Sequence, residues 1–395
     1  MSHCTRQSLR FLLRASSIRD HATARDLATA TAATTATAAT AGPTSTHRRS
    51  LHASSERSRS NQPEERIYSG PRDSSTAATT GNVTLRSLYA KYRAGTPLTM
   101  VTAYDYPSAA HAELAGVDMV LVGDSAGMVV QGHDTTLPVT LDEMISFCKA
   151  VTRGASKPFI VGDLPFGCFE ASTAQAIDSS VRMLKEGGVD AVKVEGGFPA
   201  RAETIRAISE AGIGVVGHVG LTPQSISKIG GFRPAGRTAE EAFRVIDDAK
   251  RLEDAGCIAV VLECVPGVVA AATTRELQIP TIGIGSGAAC SGQVLVFHDL
   301  LGFLQHPHHA AVVPKFCKRY ANVSEIIQKA LAEYVSDVQS KAFPSVQYSP
   351  YVIPDDELSA LRKTLRGNGC LNAADECTKE GEAVTDDDID DDASD

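Results

Sequence analysis

Short runs of β-branched and aliphatic residues recur through the middle of the chain, and within each run they do not alternate with polar residues. Three such runs are VDMVLVGD at 117–124, FIVGD at 159–163 and AVVLE at 259–263. Unbroken apolar runs of this length are typical of strands that are buried on both faces, as in a parallel sheet. The pattern predicts strands near 98–102, 119–122, 159–162, 191–194, 215–218, 259–262, 281–284 and 311–314.

Helical patterns separate the predicted strands. They predict helices near 108–115, 141–152, 172–186, 199–210, 238–255, 268–277 and 324–339. Regular alternation of strand and helix leaves two α/β architectures, a closed (β/α)8 TIM barrel and an open doubly wound sheet. About eight strands favour the barrel, and no G-x-G-x-x-G motif follows the first strand, which disfavours a dinucleotide-binding open sheet. We therefore predict an α/β fold that is a TIM barrel.

The N-terminal region differs in composition from the rest of the chain. Residues 1–80 contain many Arg, Ala, Ser and Thr, no Lys, and no acidic residue before Asp20. This composition is typical of an organellar transit peptide, so we predict a disordered leader that directs the protein to the mitochondrion. A secretory signal is disfavoured because Arg10 and Arg14 interrupt the apolar patch.

The folded part is predicted to be one catalytic barrel domain at 83–344. It begins with an amphipathic helix from Val83, which is placed to cap the open bottom of the barrel. Residues 345–395 are predicted to be a C-terminal extension, with one short helix near 355–365. The run at 386–395 is almost all Asp, and such a run is typically solvated and disordered.

Composition narrows the function classes. The chain carries a net charge of −9, and its nine cysteines are scattered without a C-x-x-C pair. This cysteine pattern favours a reducing compartment over a disulfide framework or a zinc site. No apolar run approaches the ~18 residues of a membrane-spanning helix. We expect small-molecule substrates, with neither nucleic acid nor membrane as a partner.

Acidic residues stand at the ends of predicted strands. Asp124, Asp163, Glu195 and Glu263 each end or closely follow one. In a barrel these ends open onto one face, so the carboxylates are expected to share a pocket. Like charges that close repel unless a cation lies among them, and oxygen ligands without His or Cys suit Mg²⁺. Alternatively, each acid caps the helix that follows it.

Three further side chains are candidates for chemistry. Lys193 lies two residues before Glu195, hence on the same face of the strand; it either binds a substrate carboxylate or forms a structural Lys–Glu ion pair. Partial desolvation of Glu263 would raise its pKa toward that of a general base. His218 is either an auxiliary catalytic group or a hydrogen-bonded core residue.

Several motifs together resemble the ketopantoate hydroxymethyltransferase family, across about residues 83–344. They are VTAYDYPSA (101–109), LVGDSAGMVVQGHDTTLPVTLDEM (121–144), DLPFG (163–167), VKVEGG (192–197), GHVGLTPQS (217–225), LECVP (262–266), GIGSG (283–287) and PKF (314–316). The resemblance implies a TIM barrel that transfers a one-carbon unit from 5,10-methylenetetrahydrofolate to 3-methyl-2-oxobutanoate. The product is 2-dehydropantoate, on the route to pantothenate and coenzyme A.

The resemblance also implies roles for individual residues. Asp124 and Asp163 are expected to bind Mg²⁺, with Glu195 as a further ligand to the ion or its waters. The keto acid is expected to contact Asp124, Ser125, Asp163 and Lys193. Glu263 stands at the position of the catalytic base, and a homo-oligomer, a decameric ring of dimers, is expected. One departure is AACSGQ at 288–293, which lacks an acidic residue before Gly-Gln.

Two other functions stay open on the sequence. One is a Mg²⁺-dependent C–C lyase of the phosphoenolpyruvate mutase and isocitrate lyase type, although no Cys motif of those lyases is found. The other is a non-catalytic barrel that serves as a scaffold, for which loss of one of the acids would be expected.

Overall fold

The computed structural model describes residues 81–303, 314–349 and 351–379 of the 395-residue chain. The predicted transit peptide and the acidic run at 386–395 lie outside these residues. Eight strands form the sheet: β1 Leu98–Thr102, β2 Met119–Val122, β3 Phe159–Asp163, β4 Ala191–Glu195, β5 Gly214–Gly220, β6 Ala259–Glu263, β7 Thr281–Ile284 and β8 Gly292–Leu295. Each strand pairs in parallel with its neighbours, and β8 pairs with β1. The sheet is therefore a closed barrel, as predicted.

One helix of the barrel precedes the first strand, and the others lie between or after the strands. They are α1 Leu85–Arg93, α2 Tyr106–Leu114, α3 Ala126–Val129, α4 Leu141–Gly154, α5 Thr173–Arg182, α6 Pro199–Glu210, α7 Ile226–Ile229, α8 Ala239–Asp254, α9 Gly267–Glu276 and α10 Phe297–Leu300. Capping boxes fix the starts of several of them; in α4 and α8 a threonine cap pairs with a glutamate three residues later. The C-terminal helices are α11 Val323–Ser340, α12 Asp355–Gly367 and α13 Leu371–Lys379.

The eighth strand is not where the sequence pattern placed it. The prediction at 311–314 falls mostly outside the described residues, and the barrel is closed instead by Gly292–Leu295. This strand starts at a glycine because a Cβ at Gly292 would lie 2.5 Å from the Leu98 carbonyl oxygen. GQVL contains a glycine and a glutamine, so this strand does not appear as an apolar run in the sequence.

Two apolar layers hold the barrel together. Side chains such as Met119, Val161 and Ile282 fill the interior, while a larger cluster packs between the strands and the surrounding helices. Leu88 of α1 is buried against the interior cluster, at the end where the strands begin. The predicted capping helix is thus confirmed, and the open end of the barrel is the one where the strands finish. In the described part of the chain, no helix is both long and apolar enough to cross a membrane.

Candidate active site

The barrel brings all the predicted site residues to one cavity. Its volume is about 320 Å³, and its lining includes Asp124, Ser125, Asp163, Lys193, Glu195, His218 and Glu263. Three of the acids are the last residues of β3, β4 and β6, and Asp124 follows β2 after one glycine. Because the strands are parallel, their carboxyl ends point to one side of the sheet, and the carboxylates converge there.

The helix-capping alternative does not hold for these acids. The helices that follow them begin with other N-cap residues: Ser125 for α3, Ser172 for α5, Phe198 for α6 and Pro266 for α9. The carboxylates are thus left to face the cavity and one another.

Lys193 lies at the bottom of the cavity among the acids. Its Nζ is 2.7 Å from Asp163 Oδ1, and the two side chains are 5% and 3% exposed. Burial alone would lower the pKa of Lys193, but the charges of Asp163, Glu195 and Asp124 together raise it above its usual range. The ammonium therefore stays charged, and its direct partner is Asp163 rather than Glu195.

Negative charge exceeds positive charge around this pair. Burial, and then the nearby Asp163 charge, raise the pKa of Asp124 to about 7. Burial also raises the pKa of Glu195 well above its usual range, and Asp124 and Glu263 raise it further against the opposing charge of Lys193. The cavity is thus built to gain stability from an added cation.

The side chains present suit Mg²⁺. The candidate ligands are carboxylate oxygens only, which is the chemistry that this ion prefers. Among residues 81–303, 314–349 and 351–379, no three His, Cys, Asp or Glu side chains form a ready-made metal site. Mg²⁺ is commonly held by one or two carboxylates together with water and substrate oxygens, and Asp124 and Asp163 offer carboxylates of this kind.

Glu263, the last residue of β6, lies beside His218, which is two residues before the end of β5. The side chain of Glu263 is 17% exposed and faces the cavity, and burial raises its pKa to about 8. His218 Nε2 is 2.7 Å from the Leu221 carbonyl oxygen, so this nitrogen carries the proton and donates it. Burial and Lys193 lower the pKa of His218 to about 3. The imidazole is therefore neutral, and its 3.4 Å contact with Glu263 Oε2 is not an ion pair.

The residue after Glu263 has an unusual backbone. Cys264 adopts φ = 52°, in the left-handed region that non-glycine residues rarely occupy. Its N–H donates to the Ile284 carbonyl at 2.9 Å, and its carbonyl accepts from the Ala235 N–H at 3.1 Å. These two bonds hold the turn that aims Glu263, and strain of this kind concentrates at functional sites.

Two residues that the sequence reasoning missed support the acids. Gln224 is buried, and its Nε2 donates to Asp124 Oδ2 at 2.8 Å and to the Leu164 carbonyl at 2.9 Å. Its backbone N–H donates to Glu195 Oε2 at 3.0 Å. Tyr104, just beyond β1, places its hydroxyl 2.7 Å from Ser125 Oγ. Their positions after strand ends were visible in the sequence, but their distant partners were not.

The outer end of the cavity is lined by aromatic and basic side chains. Phe232, Arg233, Phe316 and Arg319 contribute to its lining. The ring of Phe316 lies on Gly285, where a Cβ would come within 2.6 Å of it. The glycine-rich turn GIGSG at 283–287 is thus packed against an aromatic ring. Within it, Ser286 Oγ donates to the Leu262 carbonyl at 2.7 Å and ties β7 to β6.

Comparison with known proteins gives one consistent match. The family model described as ketopantoate hydroxymethyltransferase matches residues 82–346. The chain is 54% identical to 3-methyl-2-oxobutanoate hydroxymethyltransferase 1, mitochondrial, of Oryza sativa subsp. japonica, over 82% of this chain and 93% of the relative. It is 58% identical to the protein of the same name from Arabidopsis thaliana, over 80% and 90%. A bacterial relative, 3-methyl-2-oxobutanoate hydroxymethyltransferase of Geobacillus kaustophilus (strain HTA426), is 52% identical over 68% and 94%.

Solved structures match more weakly. Phosphoenolpyruvate phosphomutase from Streptomyces platensis subsp. rosaceus is 15% identical, with a TM-score of 0.44, over 73% of this chain and 98% of that chain. A similarity this low does not indicate a function.

The raised pKa of Glu263 predicts a pH-dependent effect of Glu263→Gln on the metal-free protein. A carboxyl group with a raised folded-state pKa stabilises the fold while protonated, and this contribution is lost as pH rises from the unfolded value of about 4.5 towards 8. Glutamine mimics the protonated group at every pH. Denaturant unfolding should therefore show Glu263→Gln equal to the wild type near pH 4.5 and more stable near pH 9.

The full shift corresponds to roughly 5 kcal/mol, and we expect about 2–4 kcal/mol because the carboxyl group keeps contact with solvent. Glu203→Gln is the control, since Glu203 is an exposed residue of α6 outside the cavity. A difference of equal size at both pH values would contradict the prediction.

Proposed function

The chain belongs to the ketopantoate hydroxymethyltransferase family, and we propose how its cavity carries out the family reaction. The enzyme transfers a hydroxymethyl group to 3-methyl-2-oxobutanoate, giving 2-dehydropantoate in pantothenate biosynthesis. The proposed one-carbon donor is 5,10-methylenetetrahydrofolate. The observation that carries the assignment of roles is the convergence of Asp124, Asp163, Lys193, Glu195 and Glu263 in one cavity of a family member.

The keto acid is proposed to bind at the bottom of the cavity. Its carboxylate is attracted by the Lys193 ammonium, which the surrounding acids keep charged. Ser125, held by the Tyr104 hydroxyl, presents a hydroxyl group to the same ligand. The apolar Leu121 and Val261 line the cavity as well and suit the branched end of this substrate.

Asp124 and Asp163 are proposed to hold Mg²⁺, with Glu195 binding the ion or its waters. When bound, Mg²⁺ withdraws electron density from the keto oxygen and stabilises negative charge that develops there. Gln224 fixes the positions of both Asp124 and Glu195. Its side chain donates a hydrogen bond to Asp124, and its backbone N–H donates one to Glu195.

Glu263 is proposed as the base that removes the C3 proton of the keto acid. Burial makes its carboxylate a stronger base than an exposed one, and the raised pKa brings it closer to that of the carbon acid. Neutral His218, fixed by the Leu221 carbonyl, packs beside it. The resulting carbon nucleophile forms a C–C bond to the methylene carbon, and both bonds from that carbon to the folate nitrogens break. Water supplies the hydroxyl group, and tetrahydrofolate leaves with the second proton of that water and the proton taken from C3 on its two nitrogens.

The two other functions considered from the sequence are less well supported. The family match and relatives at 52–58% identity favour hydroxymethyl transfer over a C–C lyase. A scaffold would have no need of four acids facing one cavity, yet all four are retained. Turnover of 3-methyl-2-oxobutanoate by purified protein, measured with and without the folate and Mg²⁺, separates the three functions.

The base assignment predicts a separation of binding from chemistry. Glu263→Gln should lower exchange of the C3 proton of the keto acid with D₂O by at least about 10³-fold, because the general base is removed. Mg²⁺-dependent binding of the keto acid, measured by calorimetry, should persist. Gln keeps the shape of the side chain, so lost binding would point to damage of the site. Exchange at the wild-type rate would refute the assignment.

We propose a homo-oligomer, with the decameric ring of dimers as the expected form. The helix α11 exposes Ile326, Leu331, Tyr334 and Val338 by 45–68%, and exposed apolar side chains in such density mark an interaction surface. Light scattering should therefore give a mass near ten subunits, and Leu331→Asp should lower it. A wild-type mass of one subunit would contradict this proposal.

We also propose import into the mitochondrion. The two plant relatives carry that location in their names, and residues 1–80 have the composition of a transit peptide. A fluorescent protein fused after residue 80 should colocalise with a mitochondrial marker, and the same fusion with the arginines of this segment changed to glutamine should not. A wild-type fusion that stayed in the cytosol would refute the proposal.

A further inference from the structure

We propose that Arg233 and Arg319, at the outer end of the cavity, bind the glutamate carboxylates of the folate co-substrate. The inference rests on the proposed function and assigns it a second binding region. It also implies that the enzyme distinguishes folates by the length of their glutamate tail.

The first observation is that these two cations have no partner among the residues that the structure describes. Both side chains are exposed, and both line the cavity. Within the described part of the chain, neither side chain makes an ion pair or a hydrogen bond with another residue. By contrast Lys193, at the inner end, is paired with Asp163 at 2.7 Å. Two unpaired guanidinium groups at a cavity opening are suited to carboxylate ligands, which they bind in a bidentate manner.

The second observation is the charge difference between the two ends. The inner end holds Asp124, Asp163, Glu195 and Glu263 against the single ammonium of Lys193. A folate has an uncharged ring system at one end and glutamate carboxylates at the other. The inner acids repel those carboxylates and the outer arginines attract them, so the potential orients the ligand with its reactive ring inward.

The third observation concerns size and shape. A cavity of about 320 Å³ is at the low end of the ~300–1,000 Å³ range for pockets that hold drug-sized ligands. It exceeds the needs of a small keto acid but is too small to enclose a complete folate as well. The glutamate tail must therefore leave through the opening. Phe232 and Phe316 line the cavity there and offer flat apolar surfaces to the rings that precede the tail.

The test compares KM for the monoglutamate and pentaglutamate forms of methylenetetrahydrofolate. Exposed Arg–carboxylate pairs contribute modestly, so we expect the pentaglutamate KM of the wild type to be roughly threefold to tenfold lower. In the double variant Arg233→Glu/Arg319→Glu, the ratio of the monoglutamate KM to the pentaglutamate KM should fall to about one or below one. Added salt should reduce the ratio in the wild type, because it screens exposed charges.

Arg237→Glu is the matched control. Arg237 is also exposed and lies four residues after Arg233, but it does not line the cavity. The Arg237→Glu substitution makes the same charge change at a site outside the cavity. Its ratio of the monoglutamate KM to the pentaglutamate KM should therefore equal that of the wild type. The KM for the keto acid, measured in every variant, reports whether the inner end has kept its structure.

The outcomes separate this inference from the proposed function. Wild-type protein without folate-dependent turnover would overturn the proposed function itself. Turnover with the same KM for both tail lengths would overturn only the present inference. A ratio that is unchanged in the double variant, or that falls as far in Arg237→Glu, would overturn it too.

Discussion

The buried ion pair between Lys193 and Asp163 is the interaction on which the site depends. A charged pair taken out of water is costly unless its geometry is good, and here the two atoms are 2.7 Å apart. Yet the pair neutralises only one of the acids at the cavity. Burial, and then the charges of neighbouring acids, raise the pKa of Asp124 and Glu195, so the free protein holds these carboxylates at a cost that a ligand of opposite charge can relieve. The proposed metal ion is such a ligand.

The barrel makes this crowding possible. The register of the parallel strands places Asp163 beside Lys193 and Glu195 beside His218 on neighbouring strands. Leu88 and the apolar interior close the opposite end, so water reaches the acids from one side only. The fold thus supplies the low-dielectric surroundings that shift the pKa of Glu263 and His218 in opposite directions.

Much of this arrangement could be predicted because it is local in the sequence. Asp124, Asp163, Glu195 and Glu263 each end or follow an apolar run, and alternation of strands and helices implies that such ends meet. The eighth strand was misplaced because GQVL is short and partly polar, and only pairing with β1 and β7 makes it a strand. Gln224 was missed for a similar reason, since its partner Asp124 lies 100 residues away. Contacts between residues so far apart in the sequence depend on how the fold packs, and they produce no periodic pattern in the sequence.

The hydrogen bond from Ala235 to Cys264 has a consequence for how the two ends of the cavity are related. Ala235 closely follows Phe232 and Arg233, and Cys264 directly follows Glu263. One backbone bond thus joins the segment at the opening to the turn that sets the direction of the Glu263 side chain. Insertions or deletions between 232 and 235 would therefore disturb this bond, and through it the position of the Glu263 carboxylate, which they do not contact.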